Sequence, residues 1–205
     1  MKKVGNLLLT VFVVLFAGRL ASATTVSYGT FGTFANPGAG FTIANTAVVD
    51  GTSSIATGGS NLTFTGVSDV VDAPTINSLG VFTTTTPLTT GEIDSYSGTS
   101  FALTIDQFIP GMHTGMIAGI ISGTLRKSTL GGASTLTLDF GGKSLTLGTV
   151  TYRPDNLDIA GATIPTASTL QGKITAVPVH PAAWGGLLLF GLVGSVRFLR
   201  RGMAA

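Results

Sequence analysis

The chain has 205 residues, only 10% of them charged, with no cysteine and a formal net charge of +2. The missing cysteines exclude disulfides, thiolate zinc sites, thiol catalysis and lipid attachment at an N-terminal Cys. Six of the eleven basic residues (Lys2, Lys3, Arg19, Arg197, Arg200 and Arg201) lie near the two ends, whereas all nine acidic residues lie between Asp50 and Asp158. The middle therefore carries a formal −4 and lacks the basic stripe of a nucleic-acid partner, so no nucleic-acid binding is expected.

At the start, Met1-Lys2-Lys3 supplies a positive n-region and residues 4–17 an apolar stretch. Ala21-Ser22-Ala23 follows as a small-residue cleavage site, so residues 1–23 are predicted to be a signal peptide removed by signal peptidase after Ala23.

From Thr24 to Ala176 the dominant pattern is alternation of apolar and polar residues with a period of two, the signature of half-buried strands. Phe101, Leu103 and Ile105 share one face; so do Leu136, Leu138 and Phe140, and so do Leu62 and Phe64. Leu145 and Leu147 alternate with polar neighbours in a run that is read as continuing through Val150 to Tyr152. Further strands are predicted over 26–34, 41–49, 80–84, 116–125 and 169–177, the last placing Leu170, Gly172, Ile174 and Ala176 on one face. Pro37, Pro74, Pro87, Pro110, Pro154 and Pro165 fall between these runs, and the Gly-Gly pairs at 58–59, 131–132 and 141–142 mark turns. The stretch 139–145 reads as a tight hairpin. About ten short strands with no body helix predict an all-β antiparallel β-sandwich or jelly-roll-like domain over 24–176; a solenoid is disfavoured because no fixed repeat is visible. A body of about 150 residues can build such a core without disulfides.

Catalytic and metal-binding signatures are sparse in this middle region. His113, after Pro110-Gly111-Met112, is read as a solvated turn residue; one histidine there cannot form a two-His metal site, and no nucleophile elbow accompanies it. Asp69 with Asp72, Glu92 with Asp94, and Asp155-Asn156 with Asp158 form three small acidic groups. The third offers weak calcium candidates in Asp155, Asn156 and Asp158, but Asx residues after a proline are ordinary turn formers, and no metal or cofactor is predicted. Carboxylate pairs for glycan hydrolysis remain a lesser alternative. The Thr-rich stretch 83–90 reads as solvent-facing β sequence. Tyr28, Tyr96 and Tyr152 are the tyrosines available to a sugar-stacking platform, and Tyr152 is read as a core ring.

The last 29 residues combine three parts. Val177, Pro178 and Pro181 form a break, because proline donates no backbone hydrogen bond and restricts the residue before it. Residues 182–196 are uncharged, and Phe198 and Leu199 extend a predicted transmembrane helix over 182–199, with Trp184 at one interface and the Arg197 stem snorkelling at the other. Arg197, Arg200 and Arg201 then place the end on the cytoplasmic side.

This order of parts resembles the PEP-CTERM sorting signal of Gram-negative bacteria. Val177, Pro178 and Pro181, the apolar run and the three arginines match it, whereas Val179-His180 stands where the family has a single Glu. The resemblance implies an inner-membrane, exosortase-like sorting protease as partner, delivery to the cell surface or extracellular matrix, and a link to exopolysaccharide. The expected role is structural or adhesive and not enzymatic, with a carbohydrate-binding module as the alternative and a secreted glycan hydrolase behind it.

Overall fold

The computed structural model describes residues 23–35, 38–85, 93–126, 135–159 and 166–177. Ala21, Pro178, Pro181, Arg197, Arg200, Arg201 and the predicted helix 182–199 lie outside the described residues, as do Pro37, Pro87, Glu92, Pro165 and the Gly131-Gly132 pair. Thr24–Ala176 forms one compact unit and is treated by itself.

Among the described residues there are fourteen strands and no helix. They are β1 (Thr24–Ala35), β2 (Phe41–Ala44), β3 (Thr52–Thr57), β4 (Ser60–Thr65), β5 (Ser68–Ala73), β6 (Thr75–Thr85) and β7 (Ile93–Ser95), then β8 (Thr99–Ile109), β9 (His113–Arg126), β10 (Thr135–Asp139), β11 (Leu145–Leu147), β12 (Val150–Pro154), β13 (Leu157–Asp158) and β14 (Thr166–Ala176). They form two seven-stranded antiparallel sheets. One runs β13-β10-β9-β8-β1-β5 with β7 also paired to β9; the other runs β11-β12-β14-β6-β4-β3-β2. Because Ser95 pairs with Thr124 and Thr99 with Ile121, β7 continues the line of β8 along β9. Of the four strands that end these orders, β13, β11 and β2 are two to four residues long and offer little unpaired backbone to another chain, whereas β5 spans six.

The alternation predicted from sequence places the core. Phe101, Leu103, Ile105, Leu136, Leu138 and Phe140 from the first sheet meet Leu62, Phe64, Phe82, Leu170 and Ile174 from the second in one buried cluster. At its centre the Phe101 ring lies 4.9 Å from Phe64, 5.0 Å from Phe82, 5.2 Å from Phe34 and 6.5 Å from Phe140, in tilted or edge-on contacts that suit the ring quadrupoles. Two glycines leave room for these rings. A Cβ at Gly32 would sit 2.4 Å from Phe101 and 2.5 Å from Phe64, and one at Gly80 would sit 2.2 Å from Phe64.

Several local expectations are corrected. The stretch 139–145 is not a hairpin: Gly141 and Gly142 do take positive φ, but β10 pairs with β9 and β13 while β11 pairs with β12, so the turn carries the chain from one sheet to the other. The run from Leu145 to Tyr152 is broken at Gly148, whose φ of 58° turns β11 back onto β12 as a true hairpin. The strand expected over 41–49 ends at Ala44, because Asn45 folds back and its side-chain amide exchanges two 2.8 Å hydrogen bonds with the Phe34 backbone. Pro154 closes β12 opposite Gly172 instead of lying in a turn, and His113 begins β9. β3, β5, β7 and β13 lie outside the strands predicted from sequence, because their apolar alternation is short or interrupted by polar residues.

Truncating the central ring empties the space where both sheets meet. Phe101→Ala is expected to cost about 3–5 kcal/mol in urea unfolding of the Thr24–Ala176 body. Gly32→Ala, which adds atoms at the same place, should also lower the midpoint; an unchanged midpoint would show that the rings yield freely.

Candidate functional site

The register of the strands brings the two ends of the body together. Thr24 at the start of β1 pairs with Ala73 at the end of β5. The chain then turns through Pro74 into Thr75, which pairs with Ile174 of β14, and Ala176 pairs with Val150 of β12. The β8–β9 turn lies at this same end, because Ile109 pairs with Ser27 of β1. His113, just past that turn, lies against Gly148, where an added Cβ would approach its Nε2 to 2.8 Å.

Beneath this end a polar network runs from the buried Tyr152–Gln107 pair out to the exposed Asp69. The Tyr28 and Tyr152 rings meet edge-on at 5.8 Å. The Tyr28 hydroxyl donates to the Ser78 carbonyl at 2.7 Å and accepts from Asn77 Nδ2 at 3.1 Å, while Asn77 also donates to Asp69 at 2.5 Å. The Tyr152 hydroxyl donates to Gln107 Oε1 at 3.1 Å, and Gln107 Nε2 donates to the Gly111 carbonyl at 3.2 Å. Gln107 thereby ties the β8–β9 turn to the second sheet. Burial, with the Asp69 carboxylate adding to it against the Asn77 hydrogen bond, pushes the Tyr28 hydroxyl up to about 12. Burial raises Tyr152 as well, assisted by Tyr28, and raises Tyr96, assisted by Asp94.

At the opposite end, Ser60 of β4 donates a short hydrogen bond to the buried Asp94 of β7, linking the two sheets. Gly58 is required beside it: its φ is 54°, and a Cβ there would fall 1.8 Å from Asp94 Oδ1. Close by in sequence, the buried Tyr96 hydroxyl and Thr99 Oγ1 have no hydrogen-bond partner among the described residues.

The residues singled out from sequence fall as follows. Asp155 and Asn156 form the link from β12 to β13, and Asp158 pairs with Thr137. The Asp155 amide donates to the Gln171 carbonyl at 2.9 Å, and Asn156 Oδ1 accepts from the Phe140 amide at 3.0 Å, so that oxygen serves as a backbone partner between strands. Asp69 Oδ1 accepts from the Val70 amide and Asp72 Oδ1 from Thr25 Oγ1. Among the described residues no three His, Cys, Asp or Glu side chains gather closely enough to hold a metal ion. All three tyrosines are buried, so the aromatic sugar platform considered for them is not built from tyrosine. Among the described residues no helix is long and apolar enough to cross a membrane. Ala23 and Val177, the residues bordering the body, are described; the remainder of the cleavage and sorting motifs is not. Sequence reasoning missed Gln107, whose polar side chain occupies an inward position that alternation reserves for apolar residues; that break in the pattern was the available signal.

Comparison with known proteins finds no match: no family model fits the chain, and no curated protein or solved structure matches it.

Raised tyrosine values set an alkaline limit on the fold. Each neutral hydroxyl is favoured in the folded state, so its contribution is fully present below the ordinary value near 10 and is lost as pH rises through the folded value. Stability should fall above about pH 10 by about 1.4 kcal/mol per pH unit for each tyrosine. Tyrosinate absorbance is expected to rise together with unfolding; its appearance near pH 10 in folded protein would refute the assignment. Two substitutions separate bonded from unbonded hydroxyls. Tyr152→Phe, which removes the donor to Gln107, should cost about 1–3 kcal/mol in denaturant unfolding, whereas Tyr96→Phe should be neutral or stabilising.

Proposed function

We propose that this chain is an exported protein of the bacterial cell surface or exopolysaccharide matrix, with a structural or adhesive role. In this reading signal peptidase removes residues 1–23, the two-sheet body acts as a β-sandwich, and the tail 177–205 is a PEP-CTERM-like sorting signal with a transmembrane helix over 182–199. An exosortase-like protease of the inner membrane is its processing partner. The observation that carries the reading is the tripartite order of the tail: Val177, Pro178 and Pro181, then the apolar run, then Arg197, Arg200 and Arg201.

The body is compatible with a non-enzymatic role. Asp69, Asp72, Asp106 and Asp139 all accept hydrogen bonds from nearby amides or hydroxyls, and Asp94 accepts one from Ser60. Outward threonine pairs, such as Thr146 with Thr151 at 3.0 Å and Thr52 with Thr65 at 3.3 Å, offer hydroxyls to polysaccharide without an aromatic stacking surface.

Mass spectrometry of the protein made in a Gram-negative host bearing an exosortase tests the reading. The expected product begins at Thr24 and has lost the chain beyond the Pro178–Pro181 motif. Replacing Arg197, Arg200 and Arg201 together by Ser should leave the tail uncut. Recovery of a soluble cytosolic chain with both ends intact would overturn the proposal.

A further inference from the structure

The end of the body where Thr24 and Ala176 lie is also fringed by exposed apolar side chains. In β8 the inward series runs Phe101, Leu103, Ile105, Gln107, and then the alternation stops. Ser27 pairs with Ile109 and Tyr28 with Gln107, so Phe108 is the extra residue of a β-bulge. Bulges re-aim side chains, and here Gln107 stays inside at 1% exposure while two consecutive apolar residues, Phe108 at 41% and Ile109 at 49%, reach solvent. Met112, across the same turn, is 83% exposed. Val70 of β5, which shares its partner Ser27 with Ile109, is also exposed, and Ile76 of β6 is exposed on the second sheet near the Ala73-Pro74-Thr75 corner.

The bulge and the Gln107 hydrogen bond to Gly111 hold this turn in place, so the exposed side chains sit on a fixed support. What covers them is indicated by the chain beyond the body. Ala176 leaves β14 at this end, and the uncharged run 182–196 begins six residues later; Thr24 arrives there from the apolar stretch 4–17. We infer that, while the tail is uncut, the turn Phe108-Ile109-Pro110-Gly111-Met112 lies in the interfacial layer of the lipid bilayer that holds the tail. This inference rests on the tail being membrane-inserted, as proposed above.

The charges around this end decide the kind of lipid contact. Asp69 and Asp72 lie on β5 beside it, Asp106 pairs with Thr114 just past the turn and His113 ends it, while Lys173 of β14, opposite Ile76, and its partner Arg153 of β12 are the cations of the second sheet there. An acidic rim gives no net attraction to anionic headgroups, so contact depends on burying apolar area and should persist on neutral lipid.

The natural absence of cysteine allows single-site labelling. Met112→Cys and, at the opposite end of the body, the exposed Ala39→Cys are each labelled with nitrobenzoxadiazole in the full-length chain. The labelled chains are then reconstituted into phosphatidylcholine vesicles. The label at 112 is expected to shift to the blue and to be quenched by doxyl-labelled lipid, with the label at 39 unchanged and the result insensitive to added phosphatidylglycerol. Vesicle flotation with both labels in water would refute the docked end while leaving the membrane tail standing. A blue shift at 112 that needs no lipid and grows with protein concentration would assign the face to a second copy and also refute the inference. If the chain fails to float with the vesicles at all, the tail reading and the docked end fall together.

Discussion

The packing of Phe101 against Phe34, Phe64, Phe82 and Phe140 is the constraint on which the fold depends. Two sheets can share a core only if their inward side chains interdigitate at close to crystalline density, and rings meeting edge-on at 4.9–6.5 Å achieve this across the gap. The geometry is tight enough to exclude a methyl group at Gly32 and Gly80, one on each sheet. With no disulfide to restrict the unfolded chain, apolar burial in this layer has to offset most of the conformational entropy lost on folding.

Above and below that aromatic layer the interior becomes polar in an ordered way. One end is closed by Tyr28, Tyr152, Gln107, Ser78 and Asn77, the other by Ser60 and Asp94. Both sets join opposite sheets, so they specify how the sheets are aligned in a way that apolar contact, being non-directional, does not. Among the described residues the Tyr96 and Thr99 hydroxyls at the Asp94 end have no partner.

The same alignment has a consequence for function. Because β1 and β14 both reach the end carrying the β8–β9 turn, the segments preceding Thr24 and following Ala176 connect to a single end of the body. On the proposed reading, with membrane enzymes acting at each terminus, the remaining surface of the body would be available to matrix or neighbouring cells. The acidic character of the body fits that picture, since it limits non-specific adhesion to anionic lipid.

Much of this was legible in the chain itself. Period-two alternation identified the all-β class and the inward residues of β4, β8, β10 and β14, because side-chain direction in a strand depends only on position parity. Terminal charge placement and the spacing of Val177, Pro178 and Pro181 carry the export expectation without any coordinates. Tertiary structure decided what parity cannot. It determined that Gly141-Gly142 passes between sheets while Gly148 turns within one, that Tyr28 and Tyr96 are interior like Tyr152, and that Gln107 points inward before a bulge exposes Phe108 and Ile109. The physical reason is that pairing partners and bulges are settled by contacts between residues distant in sequence, such as the 45 positions separating Gln107 from Tyr152, and a local pattern contains no record of them.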